Sequence, residues 1–217
     1  MKKPVLPLAA FLFFSCTTAP KSADYKGHGA ESIAPEVIAP FAPPSLPAAD
    51  SEKIRKLLEV QAPGVGMLSP TTRELFFSWG ITGTTQVFKV DKPLGFPEQL
   101  TSGADRTSLA DITNDGKFLV LERDRAGEEN PGIYLMSTKG GPLMEVQHKK
   151  GVQSDFQWSS DDGETLYFRA NDIKPDSYAL YSYDIPSKKI ELVFSEPGIW
   201  FVSDVILVQG VETFLLG

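Results

Sequence analysis

A repeat constrains this chain more than any other feature. Three segments read strand, polar turn, strand: Met67 to Phe77, Asp111 to Val120 and Gln157 to Phe168. Gly116 and Gly163 stand 47 residues apart, as do Gly163 and Gly210, and Gln209 to Leu215 opens a fourth copy. The turns are rich in Ser, Asn and Asp, whose side chains bond nearby backbone, and in Gly, which accepts positive φ. Asp-Gly between apolar runs, as at Asp115-Gly116 and Asp162-Gly163, signals a hairpin. A third apolar run follows each hairpin: Thr85–Asp91, Ile133–Thr138 and Ala179–Asp184. A fourth follows that: Glu98–Thr101, Leu143–Gln147 and Ile190–Phe194.

Four strands per unit at a period in the forties predict an all-β chain made of β-propeller blades. A β-sandwich does not require a constant repeat. The blades are expected at about 65–107, 108–152 and 153–198, with a partial one at 199–217. At this period, residues 65–217 make an incomplete propeller of about 3.3 blades, against the four to eight at which propellers close. The expectation is therefore an N-terminal piece of a longer protein, cut within a strand, with open sheet faces that invite self-association.

The segments before the repeat read as an address and a spacer. Met1-Lys2-Lys3 precedes an apolar run from Val5 to Phe14, too short for the about 20 residues of a spanning helix and suited to a signal-peptide core. The run ends at Ser15-Cys16, which resembles a bacterial lipoprotein cleavage site. That resemblance implies a signal peptide at 1–15, lipid on Cys16, export, and anchoring in the cell envelope; Thr17 after the Cys fits the outer membrane, facing the periplasm. Residues 16–50 are rich in Pro and Ala, with six Pro and eight Ala between Thr17 and Asp50, and predict an extended linker. Residues 51–64 predict a short helix and turn, with Ser51 as N-cap, Ile54, Leu57 and Leu58 on one face, and Pro63-Gly64 as the stop.

From about Ile54 to Val205 the sequence resembles the N-terminal propeller of bacterial prolyl oligopeptidase family serine peptidases, of the dipeptidyl aminopeptidase/acylaminoacyl peptidase type. The residues that carry this are Ala62-Pro63-Gly64, Leu68-Ser69-Pro70, Gly83 to Phe88, Phe96 to Thr101, Asp105-Arg106-Thr107 and the run Arg123-Asp124-Arg125-Ala126-Gly127-Glu128-Glu129-Asn130-Pro131-Gly132. The Gln-Leu-Thr blade ending and the Asp-Gly hairpin are also similar to TolB-like propellers. The family's Ser-Asp-His triad belongs to a C-terminal hydrolase domain whose nucleophile sits in a Gly-x-Ser-x-Gly elbow. That pattern is absent here, since Ser78-Trp79-Gly80 lacks the first Gly, and His28 and His148 stand in the linker and at an outer strand end. The resemblance thus implies a peptidase parent, with peptide substrate met through a catalytic domain outside this sequence. The residues present imply a non-catalytic segment with no cofactor. The alternative is a TolB-like periplasmic binding scaffold that completes its ring by self-association or with a partner.

The charged run is the candidate contact site. Arg123, Arg125, Glu128 and Glu129 lie in an inter-strand loop, where a Glu pair suits a peptide's amino terminus through charge-assisted hydrogen bonds; ordinary surface ion pairing also accounts for them. With 21 Lys+Arg against 28 Asp+Glu the formal charge is −7, which argues against nucleic acid, whose partners carry basic patches. One Cys leaves no intramolecular disulfide or multi-Cys zinc site. Asp111, Asp115, Asp161 and Asp162 lack EF-hand spacing and are explained by turns. Trp79, Trp158 and Trp200 are expected in blade-to-blade packing.

Overall fold

The computed structural model describes residues 33–64 and 66–217. The signal-peptide and lipidation readings, Cys16 and His28 lie outside the described residues. Residues 1–54 and 55–217 form separate units.

Before the sheets lie α1 (Pro35–Ile38), a 3-10 turn (Ala39–Phe41) and α2 (Ala48–Leu58). The linker is therefore not extended throughout: Pro35 and Pro40 take first-turn positions, where the missing N–H costs nothing. Ser51 is not the cap of α2. The helix starts at Ala48, and the Pro47 carbonyl accepts from Asp50 and Ser51 N–H at 3.0 Å each. Good helix formers at Ala48-Ala49 extend it backwards, and Asp50 in the first turn suits the positive end of the helix. Ile54, Leu57 and Leu58 are exposed among the described residues.

Three antiparallel four-stranded sheets follow, each in simple up-and-down order. The first holds β1 (Gly66–Leu68), β2 (Leu75–Trp79), β3 (Gln86–Val90) and β4 (Glu98–Gln99). The second holds β5 (Thr107–Ile112), β6 (Phe118–Arg123), β7 (Gly132–Ser137) and β8 (Met144–Gln147). The third holds β9 (Ser154–Ser159), β10 (Thr165–Lys174), β11 (Ser177–Asp184) and β12 (Lys189–Phe194). A two-stranded sheet, β13 (Val202–Val208) and β14 (Val211–Leu216), completes the set.

The sheets stack through two apolar layers. Phe76 and Val87 of the first sheet meet Ile112, Leu119, Leu121, Tyr134 and Met136 of the second. Val120, Ile133, Leu135 and Val146 of the second meet Leu166, Phe168, Ala170, Ala179, Tyr181 and Tyr183 of the third. Successive side chains of a strand point to opposite faces, so Leu119 and Leu121 serve one layer and Val120 the other. A strand buried on both faces reads as a continuous apolar run, as β6 and β7 do. Strand β10 of the third sheet alternates instead: Leu166, Phe168 and Ala170 are buried while Tyr167 and Arg169 are not.

Hairpin tips lock the stack. In the second sheet Asp115 accepts from Thr113 Oγ1 at 2.7 Å and Lys117 N at 3.0 Å. In the third, Asp162 accepts from Ser160 Oγ at 2.6 Å and Glu164 N at 3.0 Å. Gly163 has φ +73°, and a Cβ there would lie 2.8 Å from Asp115 of the preceding tip, so both backbone conformation and sheet-to-sheet approach require glycine. The inner strands add a second device. Bulges fall at Ala110 in β5 and Gln157 in β9, the same place in the repeat. Beside each, an N–H turns to the preceding sheet: Leu109 N donates to Ser78 Oγ at 2.8 Å and Phe156 N to Glu122 Oε1 at 3.2 Å. Bulges re-aim the strand locally, here toward the neighbouring blade.

Candidate functional site: the charged rim between blades

The β6–β7 loop, the β4–β5 connection and the β8–β9 connection lie at the same end of the sheets, because successive strands run antiparallel. The loop is ordered by backbone bonds. Asp124 N donates to Arg106 O at 3.1 Å, Glu128 N to Arg125 O at 3.1 Å, and Ser154 N to Pro131 O at 3.0 Å. Ala126 N donates to Asp105 Oδ1 at 2.8 Å. Ala126 and Glu129 hold positive φ, with Gly127 between the turn's ends.

The four sequence-predicted contact residues do not converge. Arg123 turns toward the β4–β5 connection, where Nη1 donates to Thr107 Oγ1 at 2.5 Å and Nη2 faces Asp105 Oδ2 at 3.7 Å. Arg125 turns to the outer strands. Its Nη2 lies 3.2 Å from Glu145 Oε2 and 3.3 Å from the Tyr134 hydroxyl, and Nη1 donates to His148 O at 3.4 Å. Both guanidiniums are thus spent on the protein. The Glu128 backbone carbonyl accepts from Asn130 Nδ2 at 2.7 Å within the loop. Glu129 lines an opening.

That opening is a cleft of about 290 Å³ lined by Arg106, Ser108, Glu122, Asp124, Glu129 and Pro131. Burial pushes the Glu122 carboxyl up, partly offset by the Phe156 N–H, while Asp155 pushes the same way as burial and Arg106 and Arg169 oppose it. Asp155 is held by Arg169 Nε at 2.9 Å. The cleft offers carboxylates to a cation or amine.

A second cleft of about 370 Å³ lies on the other side of Arg106 and Ser108, lined by Ala62, Gly64, Met67, Ser78, Trp79, Gly80, Thr85 and Leu109 besides these two. Its chemistry is different: Arg106 is its one charged lining residue. Trp79 Nε1 donates to Gln61 O at 2.7 Å, and its ring packs on Phe77 and Phe88 of its own sheet at 6.2 and 5.5 Å. Trp79 is thus an intra-blade residue rather than a blade-to-blade one. Trp200 sits against Phe194 at 5.5 Å. This cleft was not legible in the sequence, because three separate segments supply it and meet only when blades pack.

His148 follows β8, buried, with Nδ1 2.7 Å from the Tyr134 hydroxyl. Its ring therefore faces a phenol. Asp111, one of the Asp residues noted in the turns, accepts from Ser159 Oγ at 3.1 Å across the blades, and burial pushes its carboxyl up. Among the described residues no group of three or more His, Cys, Asp or Glu is arranged to hold a metal, and no helix is long and apolar enough to cross a membrane.

No protein-family model matches the sequence, and no curated protein matches it. Solved structures do match in fold. A structure from a study of two prolyl endopeptidases aligns at TM-score 0.54 and 12% identity, over 77% of this chain and 27% of that one. Oligogalacturonate lyase from Vibrio parahaemolyticus aligns at 0.52 and 12% identity, over 69% and 44%. TolB from Acinetobacter baumannii aligns at 0.47 and 17% identity, over 70% and 40%. The chain therefore spans between about a quarter and about half of these structures' lengths. At such identities the likeness concerns fold alone: the chain is a run of β-propeller blades, a fold shared with the prolyl endopeptidase and oligogalacturonate lyase structures.

Proposed function

We propose that this chain is the N-terminal propeller portion of a secreted, lipid-anchored serine peptidase of the prolyl oligopeptidase type. It is non-catalytic by itself and gates peptide access in the full-length parent. The observation that carries this reading is the ordered β6–β7 loop. The Arg123 to Gly132 run that most resembles the family forms the wall of a cleft at one end of the blades, on a fold shared with a prolyl endopeptidase over 77% of the chain. The acidic lining of Glu122, Asp124 and Glu129 suits the amino end of an entering peptide.

The test is to label the native gene product in envelope fractions with a serine-directed fluorophosphonate and to blot with antibody against these blades. The reading expects a labelled band larger than this chain's 23.7 kDa that cleaves aminoacyl-p-nitroanilides, while the 217-residue chain alone cleaves none. Hydrolysis by the chain alone, or an unlabelled product of its own size only, contradicts it.

One observation favours a second reading, a TolB-like periplasmic binding scaffold that completes its ring by self-association or with a partner. Among the described residues β14 pairs only with β13, and Leu207, Val211 and Leu215 on this pair are exposed. Unpaired edges template further pairing. Light scattering separates the readings: a discrete dimer supports the scaffold, and a monomer or a polydisperse aggregate counts against it.

A further inference from the structure

The structure assigns a carboxylate-binding site to the cleft bounded by Arg106, Ser78, Thr85 and Trp79, one that takes a carboxylate carried on an apolar body. Arg106 Nε donates to Ser108 Oγ at 3.2 Å; its charge acts on the Glu122 carboxyl through space, but among the described residues no carboxylate oxygen comes within ion-pair distance, and its two terminal nitrogens have no hydrogen-bond partner and are left for a ligand. Ser78 Oγ accepts from Leu109 N, which leaves its hydroxyl proton to donate outward. The Thr85 hydroxyl has no hydrogen-bond partner among the described residues, although the Thr85 carbonyl accepts from Thr107 N at 2.8 Å. The wall is thus rich in donors, and none of its side chains is acidic. A planar guanidinium with both terminal nitrogens free matches a carboxylate bidentately.

The neighbouring cleft fixes the direction. A carboxylate on its side of Arg106 would meet Glu122, Asp124 and Glu129; on the Trp79 side it meets none. Met67, Trp79 and Leu109 supply apolar and aromatic surface for the rest of the ligand, the usual composition of a small-ligand site with a few polar anchors. The cleft is built from two successive sheets, and the cross-blade bond from Leu109 N to Ser78 Oγ holds its walls together. This site is read from the chain's own donors and does not rest on the peptidase reading.

Two sources supply this chemistry: the C-terminus of a peptide and a free aromatic acid. The experiment titrates the ¹⁵N-labelled chain with N-acetyl-Gly-Phe, with its C-terminal amide, and with hydrocinnamate, following the Trp79 indole N–H cross-peak. The expected result is saturable shifts with the free acid, and binding weakened at least about tenfold in the amide and in Arg106→Gln, the scale of losing hydrogen bonds to a charged group. Thr85→Val weakens binding less, and Lys188→Gln in the distant β11–β12 turn leaves it unchanged. Hydrocinnamate binding as tightly as the peptide assigns the site to free acids; binding of the peptide alone assigns it to peptide C-termini. Equal binding of acid and amide, retention in Arg106→Gln, or no saturable shift with any of the three probes overturns the proposal.

Discussion

Replacing Phe168 with Ala tests whether consecutive sheets share one apolar layer. Phe168 is 0% exposed and lies in the layer between the second and third sheets, with Val120, Ile133 and Leu135 across from it. Its ring stacks on Tyr181 of the adjacent strand at 5.5 Å and 19°. Phe-to-Ala changes in a core cost about 3–5 kcal/mol, because the cavity collapses only in part. The lost ring pair, worth about 0.5–1.5 kcal/mol, places this site in the upper half of that range, at about 4 kcal/mol. With a urea slope of about 2 kcal/mol/M the midpoint falls by about 2 M. Leu192→Ala is the reference, because Leu192 on β12 is 53% exposed, and surface changes fall within about 0.5 kcal/mol. Equilibrium urea unfolding followed by far-UV circular dichroism reads both. A Phe168→Ala loss below about 1 kcal/mol, or equal losses at the two sites, refutes the reasoning.

Further consequences are open to the same assay. Gly132→Ala places a Cβ 2.4 Å from His148 Cβ and 2.6 Å from Gln147 O, forcing β7 and β8 apart; unfolding at a midpoint lower by more than about 1 M is expected. Gly163→Ala meets both positive φ and Asp115 and is expected to cost about 2 kcal/mol or more, whereas Gly140→Ala, at a positive φ but with nothing within 4 Å, costs only the backbone part. Burial raises the Glu122 carboxyl above the ordinary 4.5, so the folded state holds that proton more tightly. Its contribution to stability is complete below 4.5 and is lost as pH rises through the raised folded value. Glu122→Gln keeps an acceptor for Phe156 N and should therefore gain midpoint over the parent at pH 7 relative to pH 4; an unchanged difference between the two pH values contradicts this.

The sequence carried the blades well and the rim poorly, for a physical reason. Hairpin tips at Asp115-Gly116 and Asp162-Gly163 are local: their side chains bond the same turn, so spacing and residue type suffice. The two-sided burial of β6 also shows as the run Phe118 to Leu121. The fourth copy turns where the spacing puts it, at Gly210: β13 and β14 close through Gln209 and Gly210, both at positive φ, in a two-residue turn. Partners of Arg123 and Arg125 arrive from Thr107, Asp105, Glu145 and His148, set by strand register rather than by neighbourhood in the chain. The charged run therefore read as a contact site, while two of its members fasten the loop. Arg106 stood within the quoted family motif, yet its cleft needs Ser78 and Thr85 from the preceding blade. The Ser51 cap failed because Pro47 and two Ala started the helix one turn earlier.

Methyl-to-methyl and methyl-to-aromatic NOEs from β6 test the central claim most directly, namely that consecutive four-stranded sheets stack as blades with the second between the first and third. The account predicts that Leu119 and Leu121 methyls contact Phe76 and Val87 of the first sheet, and that Val120 methyls contact Leu166 and Phe168 of the third. Contacts from Leu121 and Val120 to the same neighbouring sheet, or direct contacts between Val87 and Leu166, contradict it.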